Sequence, residues 1–303
     1  MGFDDAYDAL TDHDDDSRWA YGTGFTDPLA GVPADVPDGV SRADLATYAL
    51  MLGDDALILS HRLQQWVTRA PELEDELALA NIALDLLGQA RLLLSRAAAV
   101  AGAGSEDTLA FGRSAGEFHH VRLVERADAD FAQLVGRLLV FATWRLALLD
   151  RLTALRDPVL AAVAAKGVKE VTYHRDYAAQ WVVRLGDGTA VSRERMAAAV
   201  STLRPFLGEL FVAGEVESRL GAGGVAVDPG EVLAECRAVF RQVLAAATLD
   251  PDGLDPGDGD PGDGDPGDGD PGGTGRDGGE RADLVAILEE MQGFARSVPG
   301  GVW

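Results

Sequence analysis

The sequence predicts an all-α fold, a bundle of long antiparallel helices. Three observations lead there. Apolar residues recur with a helical period over unusually long stretches, and nothing alternates with period two for long enough to make a strand. The first two periodic stretches are also separated by almost no loop, which forces an antiparallel pair.

The first helix opens at Ser41 with Asp44 in a capping-box-like start, and Leu45, Tyr48, Ala49, Leu52, Leu59, Leu63 and Trp66 keep the period to Ala70. Pro71 follows at a first-turn position and starts the second helix. Its stretch Leu77-Ala78-Leu79-Ala80-Asn81-Ile82-Ala83-Leu84-Asp85-Leu86-Leu87-Gly88-Gln89-Ala90-Arg91 is apolar almost all round. A break at Gly102–Gly116 is expected to cross an end of the bundle. Further helices are expected from Phe131 to Arg156, from Pro158 (capped by Asp157) to Leu185, from Ser192 to Val212 and from Pro229 to Leu249. A last short helix runs from Ala282 to about Arg296. The simplest architecture for such a set is ferritin-like.

Two segments frame this body. Residues 1–40, rich in Asp with scattered Gly and Pro, read as an acidic disordered extension. Residues 250–282 repeat an Asp-Pro-Gly-Asp-Gly unit from Asp255, where Pro blocks helix and Gly loosens the chain. The repeat lacks the Asp-x-Asp-x-Asp-Gly order and closing Glu of a calcium hand. The expected organisation is therefore an extension at 1–40, a bundle at 41–249, a low-complexity insert at 250–282 and a C-terminal helix and tail at 283–303.

Composition narrows the function. Fifty Asp and Glu against 26 Lys and Arg give a net charge of −24, which repels phosphate backbones and anionic membrane, so no nucleic acid partner is expected. The cations are almost all Arg, with Lys only at Lys166 and Lys169. That balance looks like the proteome of a salt-accumulating halophile, where molar salt screens dense carboxylates. No stretch approaches the ~18 uncharged apolar residues of a membrane span. The start Met1-Gly2-Phe3-Asp4-Asp5-Ala6 has no basic and apolar leader, so a cytoplasmic, soluble protein is expected. The single cysteine, Cys236, excludes an internal disulfide and reads as a core filler.

The second helix carries one polar stripe, Asn81, Asp85 and Gln89, spaced i, i+4, i+8 and expected to point into the bundle centre. A di-iron carboxylate protein places Glu-x-x-His on such a line, and here the best-registered pair is Leu86 and Gln89. The setting of a metal site is present without its ligands. The only literal Glu-x-x-His, Glu117-Phe118-His119-His120, follows Gly116 and reads as a surface loop.

Longer motifs carry a family resemblance. They are Leu52-Gly53-Asp54-Asp55-Ala56-Leu57-Ile58-Leu59-Ser60-His61-Arg62-Leu63, Ala70-Pro71-Glu72-Leu73-Glu74, the Leu77–Arg91 stretch and Asp107-Thr108-Leu109-Ala110-Phe111. Lys169-Glu170-Val171-Thr172-Tyr173-His174, Arg184-Leu185-Gly186-Asp187-Gly188-Thr189 and the end Val298-Pro299-Gly300-Gly301-Val302-Trp303 continue them. Together they closely resemble the PaaC family, the C-type subunits of ring-1,2-phenylacetyl-CoA epoxidase, over roughly residues 42–250 and 283–303. The acidic extension and the Asp-Pro-Gly repeat are additions to the family pattern.

The resemblance implies a multicomponent monooxygenase of aerobic phenylacetate breakdown. In it, the di-iron centre belongs to a sister ferritin-like subunit, and a reductase with flavin and an iron–sulfur cluster brings electrons from NADPH. PaaC proteins pair with and support that di-iron catalytic subunit within the epoxidase assembly, with no catalytic residue, cofactor or metal of their own. By the same resemblance the sister's ligand positions fall on Leu86 and Gln89 in the second helix and on Val171 and His174 in the fourth. Leu and Val cannot donate to hard iron.

Plainer roles are expected for the polar residues. Asp54, Asp55 and Asp85 read as partners of Arg62, Arg91 and other cations in a polar bundle core that also holds Asn81, Gln89, Glu170 and His174. Glu170 and His174, four residues apart, are placed to hydrogen-bond each other. His61 and His174 read as core histidines, and Trp66, Trp144 and Trp181 as anchors of the core or of a partner interface. Two rivals stand beside this reading: a ferritin-like di-iron oxygenase that binds its own metal, and a helical-repeat adaptor. The helical body shows no unit of fixed length.

Overall fold

A computed structural model describes residues 29–257 and 274–298. Among them are ten α-helices and no strand: α1 (Arg42–Gln64), α2 (Leu73–Ala101), α3 (Glu106–Phe111), the single turn α4 (Arg122–Glu125), α5 (Phe131–Leu152), α6 (Pro158–Gly186), α7 (Ala190–Leu203), α8 (Glu215–Ala222), α9 (Leu233–Ala246) and α10 (Ala282–Ser297). The four long helices α1, α2, α5 and α6 form the ferritin-like bundle. The start of α1 meets the end of α2 through Arg42 Nε, which donates to the Val100 carbonyl at 3.1 Å. Further along, Ser60 Oγ donates to the Ala83 carbonyl at 2.7 Å, so the pair is antiparallel as expected.

The caps follow the residues that allow them. Ser41 and Asp157 accept from the backbone N–H groups of Asp44 and Leu160, and Pro158 takes the first helical position, where its missing N–H costs nothing. Four helices fall short of the periodic pattern, one of them α9, which begins only after a 3-10 turn at Pro229–Val232 and ends at Ala246 rather than Leu249. α1 stops at Gln64 instead of Ala70, because the chain ahead of Pro71 tightens into turns such as Trp66 N–H to the Leu63 carbonyl at 2.9 Å. α5 ends at Leu152 rather than Arg156, before the Asp157-Pro158 cap. α7 ends at Leu203 since Pro205 breaks it, and two 3-10 turns, Arg204–Phe206 and Gly208–Phe211, cover the rest of the expected Ser192–Val212 helix. The short helix α8 has too few residues for a period to register, and it is capped by the Glu217 carboxylate, which accepts from Gly214 N–H at 2.7 Å.

One core fills the bundle, with Leu45, Ile58, Leu59, Leu79, Leu86, Leu134, Leu138 and Val171 each fully buried. Trp144 is buried with its Nε1 donating to the Leu210 carbonyl at 2.7 Å. Trp66 is buried, Trp181 half-buried, and Cys236 is a buried core residue whose thiol is pushed up to about 12 by burial.

Two sequence expectations need correction here. Two helices, α2 and α5, are long and apolar enough to cross a membrane by length and composition. α5 is enclosed by the other helices, with 89% of its apolar window buried, and its Arg137 and Arg145 are buried with partners, so its apolarity serves a protein core. The segment 29–40, placed within the acidic extension, is laid on the bundle: Leu29, Val32, Val36 and Val40 pack against the core, and the Ala34 carbonyl accepts from Arg96. Residues 1–28 and the Asp-Pro-Gly units at 258–273 lie outside the described residues, as does the end at 299–303.

Candidate functional site

A polar ladder runs along the seam between α2 and α6. Asp75 Oδ1 accepts from Tyr177 Oη at 3.0 Å and from Trp181 Nε1 at 2.9 Å. Asp85 Oδ2 meets His174 Nε2 at 3.0 Å, Gln89 Nε2 donates to Glu170 Oε2 at 3.0 Å, and Arg96 pairs with Asp157 at 2.5 Å. As numbers rise in α2 they fall in α6, which is the signature of antiparallel packing. Glu170 also forms an ion pair with Lys166 one turn earlier.

The stripe does not point into the centre as a unit. Asn81 is exposed, Asp85 half-buried and Gln89 fully buried. A helix turns about 100° per residue, so each step of four advances about 40° and the i, i+4, i+8 row winds about 80° around the helix. Only its last member reaches the core. Glu170 and His174 likewise do not bond to each other, because each is drawn across the seam, Glu170 to Gln89 and His174 to Asp85.

What fills the bundle centre is a cation. Arg145 is fully buried; its Nη1 donates to the Leu52 carbonyl at 3.1 Å and its Nη2 to Gln89 Oε1 at 3.3 Å, while its Nε has no partner. Burial pulls its guanidinium down to about 10, against the pull of Asp55. Gln89 is thereby committed on both sides, its oxygen to Arg145 and its nitrogen to Glu170. Leu86 and Val171 supply hydrocarbon at zero exposure. This donor set does not fit a pair of iron ions, because two expected ligand positions have no lone pair and a guanidinium stands beside the third. Among the described residues no three of His, Cys, Asp and Glu converge as a metal-binding group.

The aspartate doublet of α1 is paired with cations as expected, but with other arginines than the two named. Asp54 and Asp55 are fully buried, yet their partners are not Arg62 or Arg91. Asp54 takes a bidentate ion pair from Arg113, one arm at 2.9 Å, and accepts from His119 N–H at 2.9 Å. Asp55 accepts from Val121 N–H at 2.8 Å and from Arg276 Nη1 and Nη2 at 3.0 and 2.8 Å. Arg62 instead donates to the backbone carbonyls of Glu125 and Asp283, and Arg91 pairs with Glu106. The two neighbouring carboxylates thus pin two separate straps onto one helix.

Those straps correct the surface-loop reading of Glu117-Phe118-His119-His120. Phe118 and His120 are fully buried, and only Glu117 is exposed. Arg113 stacks over the Phe118 ring at 4.1 Å, His120 Nε2 meets Glu125 at 2.6 Å, and Arg281 Nε donates to the other oxygen of Glu125 at 2.5 Å. Burial raises the Glu125 carboxyl, but His120 and Arg281 bring it below its usual value. The second strap, 274–281, belongs to the stretch read as low-complexity insert, and it lies directly across 116–122. Gly275 has room for no Cβ, which would stand 2.2 Å from the His120 carbonyl, and Gly278 adopts φ 76° against Gly116.

A surface cleft of about 390 Å³ is lined by Asp75, Tyr177, Gln180, Trp181 and Arg184. Its carboxylate is already held by Tyr177 and Trp181. His61, half-buried, is shifted down by burial.

Fold and centre together define the class, a ferritin-like helical bundle whose middle is closed by a buried arginine network. The chain belongs to the phenylacetic acid catabolic protein family, whose model matches residues 31–303. It is 42% identical over 259 residues to the C-type subunit of the 1,2-phenylacetyl-CoA epoxidase of Escherichia coli (strain K12), a match covering 86% of this chain and 99% of that protein.

Proposed function

We propose that this chain is the non-catalytic structural member of a phenylacetyl-CoA 1,2-epoxidase complex in aerobic phenylacetate breakdown. The observation that carries the reading is the occupied centre: Arg145 lies beside Gln89, Leu86 and Val171 stand at two further expected ligand positions, and His174, at the last, is bonded to Asp85. A buried cation there opposes a dication by charge, and the hydrocarbon side chains offer it nothing. The 42% identity to an epoxidase subunit of the C type supports the place in the complex.

In this reading a sister subunit holds the di-iron centre, and a reductase with flavin, an iron–sulfur cluster and NADPH supplies electrons. This chain contributes a rigid helical body to the sister and the other epoxidase subunits. It works in the cytoplasm, where acyl-CoA and NADPH are available, and needs neither membrane nor nucleic acid.

The test is co-expression of the tagged chain with the other epoxidase subunits. The chain is expected to co-purify with the iron-bearing subunit, and NADPH-dependent turnover of phenylacetyl-CoA is expected from the complex but not from this chain with the reductase alone. Turnover by this chain and reductase without the sister overturns the reading in favour of an oxygenase with its own metal.

A further inference from the structure

Resting on that reading, we propose that the outer face of α2, together with the adjoining edge of α6, is the surface that docks an apolar helix of a heterologous subunit flanked by carboxylates. Leu73, Leu77 and Leu84 are 66, 58 and 62% exposed, and Tyr173 on α6 is 51% exposed. Helical geometry puts Leu77, Asn81, Leu84 and Gly88 in one sector of α2, beside Asp85. Asp85 joins this sector to α6 through His174, and the Tyr173 ring lies 6.4 Å from the His174 ring. Between Glu76 and Arg91 the only charge is Asp85, which that histidine engages. From Leu73 to Arg91 the face is about 27 Å long, enough to seat a helix.

Two further features point to an occupant and to its charge. Gly88 sits inside a helix with negative φ, where glycine is unfavourable, yet a Cβ built on it meets nothing within 4 Å. No packing among the described residues calls for a glycine there, whereas a neighbouring helix approaching to ~8 Å does. The two lysines of the entire sequence, Lys166 and Lys169, lie on α6 within two turns of Tyr173, with Lys169 exposed and Lys166 paired to Glu170. On a chain of net charge −24 the exposed Lys169 ammonium offers an acidic partner local attraction at this edge. A second copy of this chain brings another −24 and repels at long range, which favours a different subunit.

Gly88→Leu and Lys169→Glu test this in the full chain, co-expressed with the other epoxidase subunits. Leu is the better helix former and meets open space, so the melting temperature of the isolated chain is not expected to fall, while affinity for the partner subunit is expected to drop on the order of 100-fold. Lys169→Glu is expected to weaken association about tenfold at low salt and less at high salt. Wild-type chain that binds no epoxidase subunit overturns both the docking surface and the proposed function. Wild-type binding that Gly88→Leu leaves unchanged overturns the surface alone. A self-dimer dissolved by Gly88→Leu, or binding to phosphatidylglycerol vesicles lost in that variant with subunit assembly intact, overturns the heterologous occupant.

Discussion

Replacing Arg276 by Met is expected to lower folding stability by about 3–5 kcal/mol, the cost of leaving a buried charge without its partner. Asp55 has zero exposure and takes two of its three hydrogen bonds from this guanidinium; only Val121 N–H remains. Arg276 Nη1 also ties the Met51 and His119 carbonyls together, so the substitution loosens both straps from α1. Burial depresses the Arg276 guanidinium, but Asp55 and Glu217 more than reverse it and hold it above its ordinary value.

The same cluster sets a pH signature. Burial raises the Glu217 and Glu209 carboxyls above their usual value, with Arg276 opposing the rise in both. Their folded state binds protons more readily than the unfolded chain, so their contribution to stability falls as pH rises above the ordinary carboxyl range. Removing Arg276 raises both groups further, and the deficit of the variant is expected to shrink on acidification toward pH ~5. Urea denaturation of both proteins at neutral and mildly acidic pH reads both effects. The double variant Asp55→Asn with Arg276→Met is expected to recover part of the loss, since it also removes the stranded charge.

Asp157→Ala is the other large effect, expected at about 3–5 kcal/mol. One carboxylate does two jobs: Oδ1 caps α6 through Leu160 N–H at 2.9 Å, and Oδ2 holds Arg96 of α2 at 2.5 Å with side-chain exposures of 0 and 2%. The Arg96 Nε already lacks a partner, so the loss strands a guanidinium that retains only the carbonyls of Ala34 and Asp35. Asp157→Asn keeps a cap acceptor while losing the charge, and is expected to fall between wild type and Asp157→Ala. Equal midpoints for Asn and Ala would assign the effect wholly to the ion pair.

Much of the bundle was legible because its signals are local. Period, caps and the short Ala70-Pro71 connection place α2, α6 and α10 within a few residues of their observed ends and the starts of α1 and α5 as well, while the period overruns the C-terminal ends of α1 and α5. The errors come from geometry that spans elements. The Asn81-Asp85-Gln89 row reads as one line on paper but winds from solvent to core. Glu117–His120 has the composition of a loop, and its burial depends on Arg113 and Arg281, which are far apart in sequence.

The buried centre was half visible. Arg145 and Arg137 interrupt an otherwise apolar helix, eight residues apart, and a buried partner for each could have been expected from that alone. Arg276 gave no such signal, since it lies in Gly-rich sequence just after the Asp-Pro-Gly repeat, with no helical period around it. Only tertiary structure shows that it lies against Asp55.

The most direct measurement of the central claim is iron content, taken chain by chain after the assembled complex is separated into subunits under conditions that keep iron bound. This chain is expected to hold no stoichiometric iron, with the di-iron centre on the sister subunit. Two magnetically coupled irons retained on this chain would contradict a bundle centre occupied by Arg145 and Gln89.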